Sequence, residues 1–284
     1  MIEARPSRTA LRVAMRRAAH QLFDNPKVLD DPMALPIIGP RAAEKLKTES
    51  PDAFGKYGLG IRAFMVARSR YAEDALGRSI QRGATQYVIL GAGLDTFAYR
   101  NPYAESELRV FEVDFPATQE WKRRNLAEAH ITIPLSVTYA PVDFEHQTLA
   151  EGLQLAGFDA AKPTFFSWLG VTMYLTDDAV ESTFRFIRST PPAGGVAFDY
   201  AVPIESLSWM GRMAMRMMMQ RVAAAGEPFR TFFDPRALAE RLRAMGFHDL
   251  EDLGADEVNA RYFSNRTDEL RVIGRLGRLM SAHT

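Results

Sequence analysis

Two glycines and two aspartates stand where a nucleotide-like ligand would need them. Gly91-Ala92-Gly93 follows directly on the short apolar run 86–90. If that run is a strand, the loop caps its carboxyl end, which is where open parallel sheets bind their ligands. Glycines there let the backbone turn sharply and let a ligand approach it closely. Asp114 lies 23 residues after Gly91, at the end of the next apolar run, where a carboxylate can accept hydrogen bonds from ribose hydroxyls. Asp143 ends a third run and can accept from an adenine amino group. Three successive strand tips therefore carry ligand-type residues.

The next two residues choose between ligands. A dinucleotide loop places a small residue, Gly or Ala, three positions after its second glycine so that the helix packs closely. Here Thr96 takes that place, and Asp95 stands close to where a pyrophosphate would lie. A carboxylate beside phosphate charge is unfavourable. A cofactor without phosphate fits better, and S-adenosylmethionine carries a sulfonium and an ammonium instead. No metal is expected.

The elements that must position these residues follow from periodicity. Residues 7–23 read as a helix, with Leu11, Met15, Ala18 and Leu22 on one face and arginines on the other. The stretch 25–40, punctuated by Pro26, Pro32, Pro36 and Pro40, reads as a loop. Residues 61–82 read as a long helix ended by Gly83. Strands then alternate with helices: strands at 86–90, 108–113, 135–142, 164–169 and 195–200, helices at 116–129, 177–189 and 236–245. That alternation predicts an α/β fold with a mostly parallel sheet covered on both faces. The segments 247–253 and 271–282 are expected to add antiparallel edge strands. The expected organisation is an N-terminal helical cap over 1–83 and a Rossmann-like core over 84–284, with a helical insert at about 204–228.

Composition narrows the function. The 284 residues include no cysteine, which excludes disulfides, thiolate metal sites and a cysteine nucleophile and fits a cytoplasmic protein. Lysine plus arginine equals aspartate plus glutamate, 35 each, so no charge imbalance points to nucleic acid or an anionic membrane. No apolar run approaches the roughly 18 residues of a membrane span.

Several runs of the sequence resemble the leucine carboxyl methyltransferase family, which includes bacterial O-methyltransferases of polyketide pathways. They are Ala67-Arg68-Ser69-Arg70-Tyr71; Gln86 through Arg100, with Gly-Ala-Gly-Leu-Asp-Thr at its centre; Phe111-Glu-Val-Asp-Phe-Pro116 with Lys122; Val142-Asp143-Phe144; and 226–235. The resemblance implies a class I methyltransferase sheet and S-adenosyl-L-methionine as cofactor. It implies that Arg68 grips the methionine carboxylate, that Gly91, Ala92, Gly93 and Asp95 form the cofactor loop, that Asp114 and Phe115 flank the ribose, and that Asp143 and Phe144 meet the adenine. The chain departs from the family at one position. The family has Glu-Gly ahead of a Tyr-Leu pair after the fourth strand, and here Leu169 stands where the glutamate would be. Another acceptor must then hold the methionine ammonium, and Ser167 or backbone carbonyls are the expected substitutes.

Methyl transfer from a sulfonium is a displacement that needs close, linear approach, and positioning supplies much of the rate. A carboxylate acceptor needs no base, whereas a hydroxyl benefits from one. Candidates to line the acceptor pocket are Tyr174, after the fourth strand tip, and His248, although a lone histidine is more often structural. The insert crowds Met210, Met213, Met215, Met217, Met218 and Met219 into ten residues. Methionines suit adaptable apolar surfaces, so Met213 and Met217 are candidates for a lid over an apolar small-molecule acceptor. A core or homodimer-interface helix is the other reading, and the simpler one. The expected activity is O-methylation of a carboxylate or hydroxyl in secondary metabolism. The alternative is a protein that binds S-adenosylmethionine without transferring its methyl group.

Overall fold

Apolar alternation places Tyr87 and Ile89 on one face of the first strand and Val88 and Leu90 on the other, and each pair is buried in a different apolar cluster. This two-sided burial is what a central parallel strand requires. A computed structural model describes residues 8–49, 55–103, 108–144, 146–206, 209, 211–213, 215–216, 219 and 228–284 of the chain.

Four helices precede the sheet: α1 (Arg8–Phe23), α2 (Ala34–Ile37), α3 (Pro40–Lys47) and α4 (Gly55–Gln81). The strands are β1 (Gln86–Leu90), β2 (Arg109–Asp114), β3 (Val137–Pro141), β4 (Thr164–Trp168), β5 (Gly195–Ala201), β6 (His248–Leu253) and β7 (Gly277–His283). Between them run α5 (Pro116–Glu128), α6 (Leu149–Leu155), α7 (Asp177–Arg188), α8 (Pro235–Ala244) and α9 (Ala255–Tyr262). The seven strands line up as β3-β2-β1-β4-β5-β7-β6. All pairs from β3 to β5 are parallel, and β7 is antiparallel to both β5 and β6. The order turns back between β1 and β4, so the crevice for a ligand opens beyond those two strands. Helices α1 and α4 cover the face that carries Tyr87 and Ile89, whereas α7 and α8 cover the other.

The expected elements recur with three instructive differences. The proline-rich stretch is not all loop, because Pro40 starts α3 at its first turn, where a missing N–H costs nothing. Helix α4 begins at Gly55 rather than residue 61. Glycines at 55, 58 and 60 hid that turn from the apolar pattern, and Gly60 is needed because an added Cβ would lie 2.8 Å from Ile273. Helix α6 is short, and its start is set by a capping box in which Thr148 and Glu151 satisfy each other's amides.

A candidate cofactor and acceptor site

At the end of β1 the chain turns through Gly91 at φ 68° and Gly93 at φ 48°. The amides of Gly91 and Ala92 both donate to the Val113 carbonyl, at 2.9 and 3.0 Å, which ties the loop to β2. Gly91 is exposed while Ala92 is buried, so the loop presents bare backbone outward. A side chain at Gly91 would strike Val171, which sits over it at 2.4 Å from the ideal Cβ position.

Asp114 ends β2 beside this loop. Its carboxylate accepts from the Gly93 amide at 2.6 Å and the Phe115 amide at 2.7 Å. Burial raises its carboxyl above the usual aspartate range, against the pull of those two amides. Phe115 then caps α5, and Pro116 opens that helix. Asp143 follows β3, where its carboxylate is 2.9 Å from the His146 ring nitrogen, and neighbouring Phe144 is 60% exposed. An exposed aromatic beside a strand tip is a surface on which a planar ring can lie.

Asp95 and Thr96 follow the loop and meet the N-terminal segment. The Asp95 carboxylate accepts from the Phe97 amide at 2.8 Å and lies 3.6 Å from Arg17 of α1. Burial works to raise it, but Arg17, Lys122 and the Phe97 amide outweigh burial and hold it below the usual range. The Thr96 hydroxyl donates to fully buried Asp31 at 2.7 Å, and Asp31 in turn faces Arg17 and Arg100. Asp95 therefore clamps the loop to the N-terminal helices, a role that its place in the motif did not reveal.

Arg68 is inward-facing on α4, and its Nη1 donates to Asp199 of β5 at 2.9 Å. The same carboxylate accepts from the Gly170 amide, and the guanidinium packs against Gly170 so closely that a Cβ there would lie 2.9 Å from it. Asp199, the partner of Arg68, is a residue that sequence reasoning missed outright. The available signal was a charged residue inside the apolar run 195–201, because a buried charge without a partner is too costly to keep. Ser167 is buried within β4 near the Tyr87 hydroxyl, below the strand tip, and Leu169 packs against the α4-side cluster.

The acceptor candidates separate. Tyr174 stands in a short turn after β4 and meets Phe229 edge-on at 5.3 Å, with Phe232 next to that ring. The Arg230 amide donates to the Met173 carbonyl at 2.7 Å, which fixes this aromatic wall beside the crevice. His248 does not join it. Its partner in the sheet is His283, which pairs with Gly195 at the amino end of β5, so His248 lies at the opposite edge from the strand tips. Met213 is 51% exposed, whereas Met217 lies outside the described residues. Among the described residues no group of three or more metal-ligating side chains comes together.

The model of the leucine carboxyl methyltransferase family matches residues 10–188, more than half of the chain. The chain belongs to the leucine carboxyl methyltransferase family. Similar members include a Bacillus subtilis protein named "Putative S-adenosyl-L-methionine-dependent methyltransferase YktD", 35% identical over 93% of both chains. A Mycolicibacterium vanbaalenii protein of the same description is 32% identical over 68% of this chain and 66% of its own length. Among solved structures, a methyltransferase-like protein from Thermobifida fusca shares the fold, with a TM-score of 0.58 at 16% identity, covering 100% of this chain and 96% of its own. A DUF574 family protein from Streptomyces avermitilis has a TM-score of 0.57 at 17% identity over the whole of both chains. The family match spans α1 to α7 and so includes every residue of the glycine loop, Asp114, Asp143 and Arg68. As a member of this family the chain is a methyltransferase.

Proposed function

We propose that this chain is an O-methyltransferase acting on a carboxylate or hydroxyl of a small, apolar metabolite by direct displacement. Its cofactor is S-adenosyl-L-methionine, the cofactor named for its relatives. The observation that carries the reading is the convergence of the Gly91–Gly93 loop, Asp114 and Arg68 at the carboxyl ends of β1, β2 and β4. When bound, S-adenosyl-L-methionine supplies a methyl group made electrophilic by its sulfonium.

The chain's own residues hold and shield. Gly91 and Gly93 offer backbone without side-chain bulk. Asp114 keeps acceptor capacity for ribose hydroxyls beyond the two amides it already holds. Asp143 and Phe144 flank the adenine. The fork of Arg68 suits a carboxylate. Tyr174, Phe229 and Phe232 form an apolar wall that excludes water from the acceptor side. A carboxylate acceptor presented there is already nucleophilic and needs only orientation. Met213, which is exposed, meets such an acceptor. Among the described residues no helix is long and apolar enough to cross a membrane; a cytoplasmic enzyme of secondary metabolism is part of the same proposal.

The test is to incubate the protein with methyl-labelled S-adenosylmethionine and a panel of apolar carboxylic acids, phenols and amines. Labelled esters, released by mild base, or base-stable ethers support the reading. Label confined to amines would overturn O-methylation.

A further inference from the structure

A buried cation and a buried carboxylate meet beside Leu169, where the pairing of β4 with β5 ends. β4 and β5 pair Ser167 with Ala197 and Trp168 with Phe198. One further step along that register sets Leu169 opposite Asp199. Side chains alternate along a strand, so Asp199 points to the same face as Ala197, which is the face covered by α4 and packed by Leu169. The Asp199 side chain is 1% exposed, and its two oxygens take the Gly170 amide and Arg68 Nη1. Each carboxylate oxygen can accept a second hydrogen bond, and Arg68 keeps donors beyond the one used.

A methionine end carries a carboxylate and an ammonium on one carbon. Its natural complement is a cation and an anion side by side, which is what Arg68 and Asp199 are. We propose that Asp199 receives the ammonium of the cofactor's amino-acid end while Arg68 receives its carboxylate. This rests on the cofactor reading above. The pairing explains why a leucine is tolerated at 169. A glutamate there would put a second carboxylate next to Asp199, and like charges in a buried place repel. It also explains the glycine at 170, whose bare backbone lets the guanidinium and the carboxylate close on each other.

The experiment is calorimetric titration with three ligands: S-adenosylhomocysteine, its analogue with hydrogen in place of the α-ammonium, and 5′-methylthioadenosine, which lacks the amino-acid end. The wild-type protein is expected to prefer S-adenosylhomocysteine over the deamino analogue by about 10- to 100-fold, the range for one charge-assisted hydrogen bond. D199N should lose that preference while keeping its affinity for 5′-methylthioadenosine, and D199N/L169E should regain it by moving the acid back across the register. A wild-type protein that binds both ligands equally overturns the proposal, whatever the variants do. So does a D199N protein that still discriminates, or one that loses 5′-methylthioadenosine in the same proportion. Wild-type protein that binds none of the three overturns the cofactor reading itself, and the proposal with it.

Discussion

Arg17 of the first helix donates to the carbonyl of Leu94 in the cofactor loop, 77 residues further along, and stands 3.6 Å from the carboxylate of Asp95. Its Nε also faces Asp31 at 3.7 Å, and Asp31 is fully buried. Ala10 of the same helix lies 3.1 Å from the place a Cβ would occupy on Gly93. The N-terminal helix therefore bears directly on the loop's conformation. Removing one partner of a buried ion pair costs about 3–5 kcal/mol because a charge is left uncompensated. R17M should lower stability by about that much in urea denaturation, and R17M/D31N should recover part of it. Strict additivity of the two substitutions would show that the residues are not coupled.

Asp114 joins the tips of β1 and β2 through the Gly93 amide. D114A should weaken binding of S-adenosylhomocysteine by about 1–3 kcal/mol, the cost of lost hydrogen-bond partners. Calorimetry reads this directly, and an unchanged affinity would remove Asp114 from the site.

Gly91 adopts a positive φ and has Val171 pressed against it. G91A meets both penalties: a left-handed conformation costs an alanine about 1–2 kcal/mol, and its methyl collides with the valine. G91A should therefore lower both the melting temperature and the affinity for S-adenosylhomocysteine. G91A/V171A should restore part of the affinity, since only the collision is relieved. Equal loss in the single and double variants would mean that the backbone strain alone matters.

His283 ends β7 with its Nδ1 3.2 Å from the Gly194 carbonyl, and it is 4% exposed. Burial lowers its pKa below the usual 6.5, opposed by that carbonyl and assisted by Arg82. A histidine whose folded pKa is depressed contributes stability above the unfolded value, and that contribution is lost as pH falls through the folded one. Wild-type stability should decline from pH 7.5 to 5.5, and H283Q should decline less steeply over the same interval. Parallel slopes in urea midpoints against pH would exclude His283 as a source of the decline.

Tyr174 and Phe229 meet edge-on at 5.3 Å on the acceptor side. Once an acceptor is in hand, Y174A should raise its KM by about tenfold with kcat changed less, the pattern of lost ground-state binding. Y174F should behave as wild type if the ring, rather than the hydroxyl, is what the acceptor meets. Loss of activity in both variants would instead assign work to the hydroxyl.

Much of the fold was legible because its signals are local. The strands from β1 to β5 and the helices α1, α5, α7 and α8 follow from apolar runs and periodicity, and their observed bounds lie within two residues of the expected ones. Among what escaped were the helices α2, α6 and α9, the start of β7 at Gly277 rather than residue 271, α3, because proline was read as a breaker when it was a first-turn residue, and the glycine-rich first turn of α4. His248 was offered as a lone histidine, and its place was set by sheet register, which no local pattern encodes.

The cofactor loop marks the same division. The turn at Gly91-Ala92-Gly93 was determined by the sequence itself, because a sharp turn after an apolar strand is a property of neighbouring residues and their backbone energies. The partners of Asp95 and Asp199 were decided only by tertiary structure. Asp95 meets Arg17 of the first helix, and Asp199 meets Arg68, 131 residues earlier in the chain. A buried charge needs a partner, but which of the many possible partners it meets depends on how distant segments pack, and that is settled by the whole fold.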